Sequence, residues 1–123
     1  MPTAARIRST VTEYARRIST AGSAEIAALY AENATLEDPV GAEVRVGREA
    51  IAAFYRGLDG VDTTMELLTL RIAGDTAAFH FRVTTALPNG TVTIEPIDVM
   101  TFDEQGLITS MRAIWSADDV VTG

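Results

Sequence analysis

The feature that most constrains this chain is a change of period at Thr63. Before it, apolar residues recur every three or four positions; after it they alternate, broken only by short turn clusters. Residues 3–20 place Ile7, Val11, Tyr14 and Ile18 on one stripe with Arg6, Arg16 and Arg17 off it, and Gly22 follows as a stop, so a helix is expected there. Ser23 is placed to cap a short second helix whose inward residues would be Ile26, Leu29 and Tyr30. A third helix is expected from near Gly47, carrying Ile51, Phe54, Tyr55 and Leu58 on one face and ending around 57–60. Between the second and third, residues 33–38 alternate as a short strand. After Thr63, turn signals at Gly74-Asp75, Pro88-Asn89-Gly90 and Asp103-Glu104-Gln105-Gly106 divide the remainder into four strands. Helices first and strands later predict an α+β fold, with helices on one face of a mostly antiparallel sheet. A doubly wound parallel sheet would need helices between those strands, and the turns are too short to hold them.

Length and composition narrow the chemistry. A chain of 123 residues with no linker and no internal repeat is one domain, residues 1–123, and 47% hydrophobic against 22% charged residues is a globular balance. The net charge of −7 lacks the basic footprint of a nucleic-acid binder. All ten basic residues are Arg, which removes Schiff-base chemistry and a phosphate-loop lysine. Without Cys there is no thiolate nucleophile or thiolate metal site, and the single His80 cannot form a His cluster. The apolar runs are too short for a membrane span or a secretory signal, so a cytoplasmic protein is expected. What remains is chemistry by carboxylates, hydroxyls, Arg and backbone groups.

Strand parity sorts the acids, because alternate residues face opposite sides of a sheet. Along 91–102, Val92, Ile94, Pro96, Asp98, Met100 and Phe102 share a face on which Asp98 is the only polar member; Glu95 falls on the mixed side. Along 33–38, Asp38 goes with Ala34 and Leu36, and Glu37 with Thr35. A carboxyl among apolar neighbours loses hydration, which raises its pKa and marks it as a candidate functional group. The structural alternatives are a turn role for Asp38 before Pro39 and a backbone-capping role for Asp98 near a bulge at Pro96. Tyr14, Tyr30 and Tyr55 fall on the apolar stripes of their predicted helices, where rings serve as core and hydroxyls converging from three helices satisfy one another while offering one O–H to a ligand. Phe79, Phe81 and Val83 alternate with His80 and Arg82, which puts the lone His on the polar face. Met111, Ala113 and Trp115 share a face, and Trp115 is either core or the donor of an indole N–H to a pocket carboxylate.

The segment Tyr30-Ala-Glu-Asn-Ala-Thr-Leu-Glu-Asp-Pro-Val-Gly41, then Gly47-Arg-Glu-Ala-Ile-Ala-Ala-Phe-Tyr55, Pro96-Ile-Asp-Val-Met-Thr-Phe102 and Met111-Arg-Ala-Ile-Trp115 resemble the bacterial ketosteroid isomerases (steroid Δ5-isomerases). The resemblance runs from about residue 6 to 116. It implies the cone-shaped fold shared with nuclear transport factor 2 and SnoaL-like proteins: three helices on a strongly curved sheet around a deep apolar pocket, with a homodimer formed through the sheet's outer face. It also implies conversion of a 3-oxo-Δ5-steroid to its 3-oxo-Δ4 isomer without a cofactor. Tyr14, Asp38 and Asp98 match the family's catalytic positions, and Tyr30 and Tyr55 match its supporting tyrosines. The implied roles are general base for Asp38 and oxyanion donor for Tyr14 and for protonated Asp98, a use of a neutral buried Asp for which ketosteroid isomerase is itself the standard example. The pocket wall is then expected from Phe54, Phe79, Phe81, Val83, Ile94, Pro96, Met100, Met111 and Ala113. Competing readings are a cyclase or epoxide hydrolase on the same cone and a non-catalytic steroid- or lipid-binding module. An epoxide hydrolase of the limonene type would need an Asp-Arg-Asp set in the pocket, whereas parity turns Arg82 and Arg112 away from it.

Overall fold

A computed structural model describes residues 1–123. Helix α1 (Ala4–Thr20) opens at Thr3, whose hydroxyl accepts the Arg6 N–H at 3.1 Å, and buries Ile7, Val11, Tyr14 and Ile18. Helix α2 is a five-residue segment, Ser23–Ala27. Ser23 does not cap it: Gly22 holds that position, and the Ser23 N–H and hydroxyl both donate to the Asp59 carboxylate, at 2.9 and 2.8 Å. A charged acceptor taking both donors outcompetes a neutral cap made by the serine itself.

The chain leaves α2 earlier than its apolar spacing predicts. Leu29 offers its carbonyl to the Ile108 N–H at 2.9 Å, and Tyr30 begins strand β1 (Tyr30–Glu37) instead of closing a helix. Sheet hydrogen bonding thus overrides a spacing that suits either structure. Strand β2 (Arg45–Val46) pairs with β1 and leads through Gly47 into helix α3 (Arg48–Tyr55). Gly47 has φ 94°, a left-handed conformation that side chains resist. The helix tightens into a single turn of 3₁₀ helix over Arg56–Leu58.

The four expected strands are five. β3 (Asp62–Ala73) and β4 (Thr76–Leu87) form the long hairpin, β5 (Gly90–Ile94) and β6 (Ile97–Phe102) divide the segment read as one, and β7 (Ile108–Ile114) follows. The division falls at Glu95-Pro96, where Pro96 has no N–H for a ladder. β4 bridges it: its first half pairs with β6, from Thr76 with Thr101 to His80 with Ile97, and its second half with β5, from Val83 with Ile94 to Leu87 with Gly90. A terminal strand β8 (Val120–Thr122) adds to β5. The sheet runs β2-β1-β7-β6-β4-β5-β8, with β3 also on β4, and every pairing is antiparallel except β1 with β7. It curls without closing. Its concave face carries the core with the helices, and its convex face carries polar residues together with the exposed, directly paired Ile97 and Ile114.

Candidate active site

Three elements bring the tyrosines together. Tyr14 comes from α1, Tyr55 ends α3, and Tyr30 opens β1, so one of the three arrives from a strand. Their hydroxyls form a chain in which Tyr55 is central, 2.9 Å from Tyr14 and 2.7 Å from Tyr30. Burial pushes all three phenols well above their ordinary value, so all remain protonated. When Tyr30 donates to Tyr55 and Tyr55 to Tyr14, the Tyr14 proton has no internal acceptor and points its donor capacity outward. Phe79 stands edge-on to the Tyr14 ring, 6.4 Å between centroids, and fixes its tilt.

Asp98 lies on β6 between Phe79 of β4 and Ala113 of β7. It is 1% exposed, and its Oδ1 has no hydrogen-bond partner. Burial first, and the nearby Asp38 charge second, raise its pKa well above the usual carboxylate range, which favours the protonated form. Asp38 follows the last residue of β1 and is only partly covered. The Trp115 indole N–H donates to its Oδ1 at 2.7 Å. Burial raises the Asp38 pKa and the indole bond opposes the rise, which keeps the ionised form accessible. The adjacent Glu37 points the other way, accepting the Gly41 N–H at 2.8 Å and the Arg112 Nε–H at 3.0 Å, and its pKa is lowered. The chain segment bearing Asp38 is therefore tethered on both sides, by Trp115 inside and Glu37 outside.

These groups meet in a cavity of about 310 Å³ that Tyr14, Asp38, Tyr55, Asp98 and Trp115 all line. Its size is at the lower end of small-molecule sites. Of the expected wall residues, Phe54, Phe81, Val83, Ile94, Pro96 and Ala113 line it. Phe79, Met100 and Met111 do not; they have the right parity but sit fully buried in the core, where Met100 pairs with Met111 and Phe79 backs Tyr14. Tyr30 also stays behind the wall, reaching the site only through Tyr55. Sequence reasoning missed Ile18, Gly57, Leu58, Thr63 and Met65 as lining residues. Ile18 and Leu58 already stood on helical stripes, and Thr63 and Met65 share the inward parity of β3; extending the alternation argument to that strand finds them. His80 lies outside, 2.9 Å from Glu95, which also accepts from Arg82. No group of three or more His, Cys, Asp or Glu residues is arranged to hold a metal, and no helix is long and apolar enough to cross a membrane.

The SnoaL-like domain model matches residues 11–111. The chain is 50% identical over 117 residues to the steroid Delta-isomerase of Nocardioides simplex, covering 95% of both chains. It is also 30% identical to the epoxide hydrolase LasB of Streptomyces lasalocidi over 97% of this chain, which spans half the length of that relative. Among solved structures it is similar to SalBIII, described as an epoxide hydrolase/cyclase-like enzyme of pyran ring formation in the polyether salinomycin, with a TM-score of 0.92, 30% identity and full coverage of both chains. The long match to the first relative, across the segments that carry Tyr14, Asp38 and Asp98, places this chain in the SnoaL-like family as a member of its ketosteroid isomerase group.

Proposed function

We propose that this protein is a steroid Δ-isomerase that converts 3-oxo-Δ5-steroids to their conjugated 3-oxo-Δ4 isomers. The observation that carries this reading is the opposed pair of acids in one apolar cavity: Asp98 stripped of partners and neutral, Asp38 supported by Trp115 and able to ionise. Asp38 removes a proton from C4, next to the carbonyl, and the electron pair passes into a dienolate with charge on the C3 oxygen. Tyr14 and neutral Asp98 donate hydrogen bonds to that oxygen, where the charge develops. The protonated Asp38 then returns its proton to C6, leaving the double bond between C4 and C5 and the acid ready for another cycle. Every step uses residues of this chain, and the fused-ring substrate suits the Phe54, Phe81, Val83 and Pro96 walls.

The epoxide hydrolase and cyclase relatives share the fold, but no Arg lines this cavity: Arg82 is paired with Glu66 and Glu95, and Arg112 with Glu37. The homodimer reading rests on the convex face, where Ile97 and Ile114 are 46% and 52% exposed. Ultracentrifugation of Ile114→Glu checks it, with a shift toward monomer expected.

The test of activity is incubation with 5-androstene-3,17-dione while following the ultraviolet absorbance of the conjugated enone. A catalysed rise is expected; its absence at micromolar enzyme overturns the proposal.

A further inference from the structure

Ser23 is 8% exposed, yet neither its N–H nor its hydroxyl bonds within α2; the N–H donates to Asp59 Oδ1 at 2.9 Å and the hydroxyl to Asp59 Oδ2 at 2.8 Å. Asp59 follows the 3₁₀ turn Arg56–Leu58 and is itself exposed. Beyond that turn the backbone bonds are local, from the Asp59 N–H to the Arg56 carbonyl and from the Val61 N–H to the Leu58 carbonyl, both at 3.1 Å. The Asp59 carboxylate is therefore the only polar tie from residues 56–61 to a part of the fold outside α3. The isomerase chemistry uses neither Ser23 nor Asp59.

The tie holds a piece of cavity wall. Gly57 and Leu58, immediately before Asp59, line the cavity, and so does Ile18 in the last turn of α1, just ahead of Ser23 in the chain. Met65, another wall residue, is fastened to the same helix end, its N–H donating to the Ser19 hydroxyl at 2.9 Å. Two serines, one on each side of the turn between α1 and α2, thus hold two wall segments. Met65 has further support, since it pairs with Val83 in the β3–β4 ladder, whereas the 3₁₀ turn has no ladder. Nor is the turn packed in from outside: a Cβ built at Gly57 or Gly60 meets nothing within 4 Å. Without Asp59, the covered Ser23 donors lose their partner and must turn to water, which is costly, and Leu58 is free to move outward with its turn.

We propose that Asp59 is a positioning residue for substrate binding: by holding Ser23 it seats Leu58 in the cavity wall and so sets the affinity of the cavity for its occupant. This rests on the isomerase reading of the site and adds to it a residue outside the cavity. A displaced wall in a cavity of only about 310 Å³ forfeits apolar contacts with whatever fills it. The reacting groups stay in place, because Tyr14, Asp38 and Asp98 come from α1, the end of β1 and β6. Tyr55, next to the turn in the chain, is fixed by its bonds to Tyr14 and Tyr30. Asp59 therefore acts on binding and not on the proton transfers.

The experiment measures kcat and KM for 5-androstene-3,17-dione, and affinity for the planar phenol equilenin by fluorescence titration, in wild type, Asp59→Ala, Asp59→Asn, Ser23→Ala and the double variant Ser23→Ala/Asp59→Ala. Asp59→Ala should raise KM and weaken equilenin binding about three- to tenfold, the scale of one hydrogen bond, with kcat unchanged. Asp59→Asn keeps an acceptor for one of the two donors and should recover part of the affinity. Ser23→Ala deletes one of the two bonds and should act in the same direction but less; combined with Asp59→Ala it should add nothing further. Unchanged KM and equilenin affinity in Asp59→Ala overturn the proposal, including where the melting temperature falls, as a tie serving only the fold would give. A fall in kcat as large as the rise in KM overturns it as well, as does full additivity of the two substitutions. If Asp59→Ala does not fold, Asp59→Asn and Ser23→Ala decide, and unchanged affinity in both overturns the proposal. No turnover by wild type is the failure of the isomerase reading instead, and the equilenin affinities alone then decide on Asp59.

Discussion

The two faces of the sheet treat the same chemical group in opposite ways. Glu95 and Asp98 are three residues apart, yet Glu95 on the convex side accepts from Arg82 and His80 and has its pKa lowered, whereas Asp98 on the concave side meets no cation and has its pKa raised. The contrast recurs between neighbours: Arg112 and the Gly41 N–H lower Glu37, and burial raises Asp38. The four partners of the outer acids, His80, Arg82, Arg112 and Gly41, lie away from the cavity. What makes an acid chemically useful here is the exclusion of cations from one face, which the two-residue period of a strand achieves at no cost in chain length.

The largest expected effect comes from removing the inner acid assigned as base. Asp38→Asn should lower kcat about 10⁴-fold, read from the rate of enone formation, because the amide keeps the Trp115 contact region filled but cannot take a proton. Next is the acid assigned as donor: Asp98→Leu and Tyr14→Phe should each cost about 10²- to 10³-fold in kcat. An unchanged kcat in Asp98→Leu would remove Asp98 from the oxyanion site and break the contrast at its centre.

Smaller effects sharpen it through pH. Trp115→Phe deletes the one bond that lowers the Asp38 pKa, so burial acts unopposed and the acid limb of kcat/KM should move to higher pH. For stability the sign runs against habit. The Asp98 pKa is above its ordinary value of 3.8 in the folded state, so the native state holds that proton longer than the unfolded chain; its contribution is complete below the unfolded pKa and is lost as pH rises toward the folded one. Asp98→Asn should therefore melt with a flatter dependence on pH above 4 than wild type, measured by thermal denaturation across a buffer series. At the bottom of the scale, Glu95→Gln on the exposed face should leave both kcat and melting temperature close to wild type, since exposed ion pairs contribute little. A loss there comparable to that of Asp98→Leu would mean that the two faces are not chemically separate.

Much of this was legible in the chain because alternation survives irregularity. Pro96 interrupts the strand, yet Ile94, Pro96, Asp98 and Met100 keep their shared side across the break, so parity placed Asp98 correctly although two strands were read as one. Tyr30 shows the opposite limit. Its spacing from Ile26 suits a helical stripe, and only the distant Ile108, reached through β7, makes it a strand residue. Strands of two and three residues, β2 and β8, are too short to carry a period at all. Depth was the other hidden quantity: parity tells which side a residue faces and says nothing of how far along the cone it lies, so Phe79, Met100 and Met111 could not be distinguished from true wall residues.

The two halves of the sheet on either side of Pro96 meet on β4. Asp98 belongs to the half of the sheet made by β6, β7 and the first part of β4, while Ile94 and Val83 belong to the half made by β5, β8 and the rest of β4. Pro96 brings no N–H to the junction, yet its carbonyl accepts the Phe81 N–H of β4 at 3.3 Å, so the two ladders stay joined there. β4 is thus the shared beam of the cavity: the ladder beside Asp98 and the ladder beside Ile94 hang from one continuous strand.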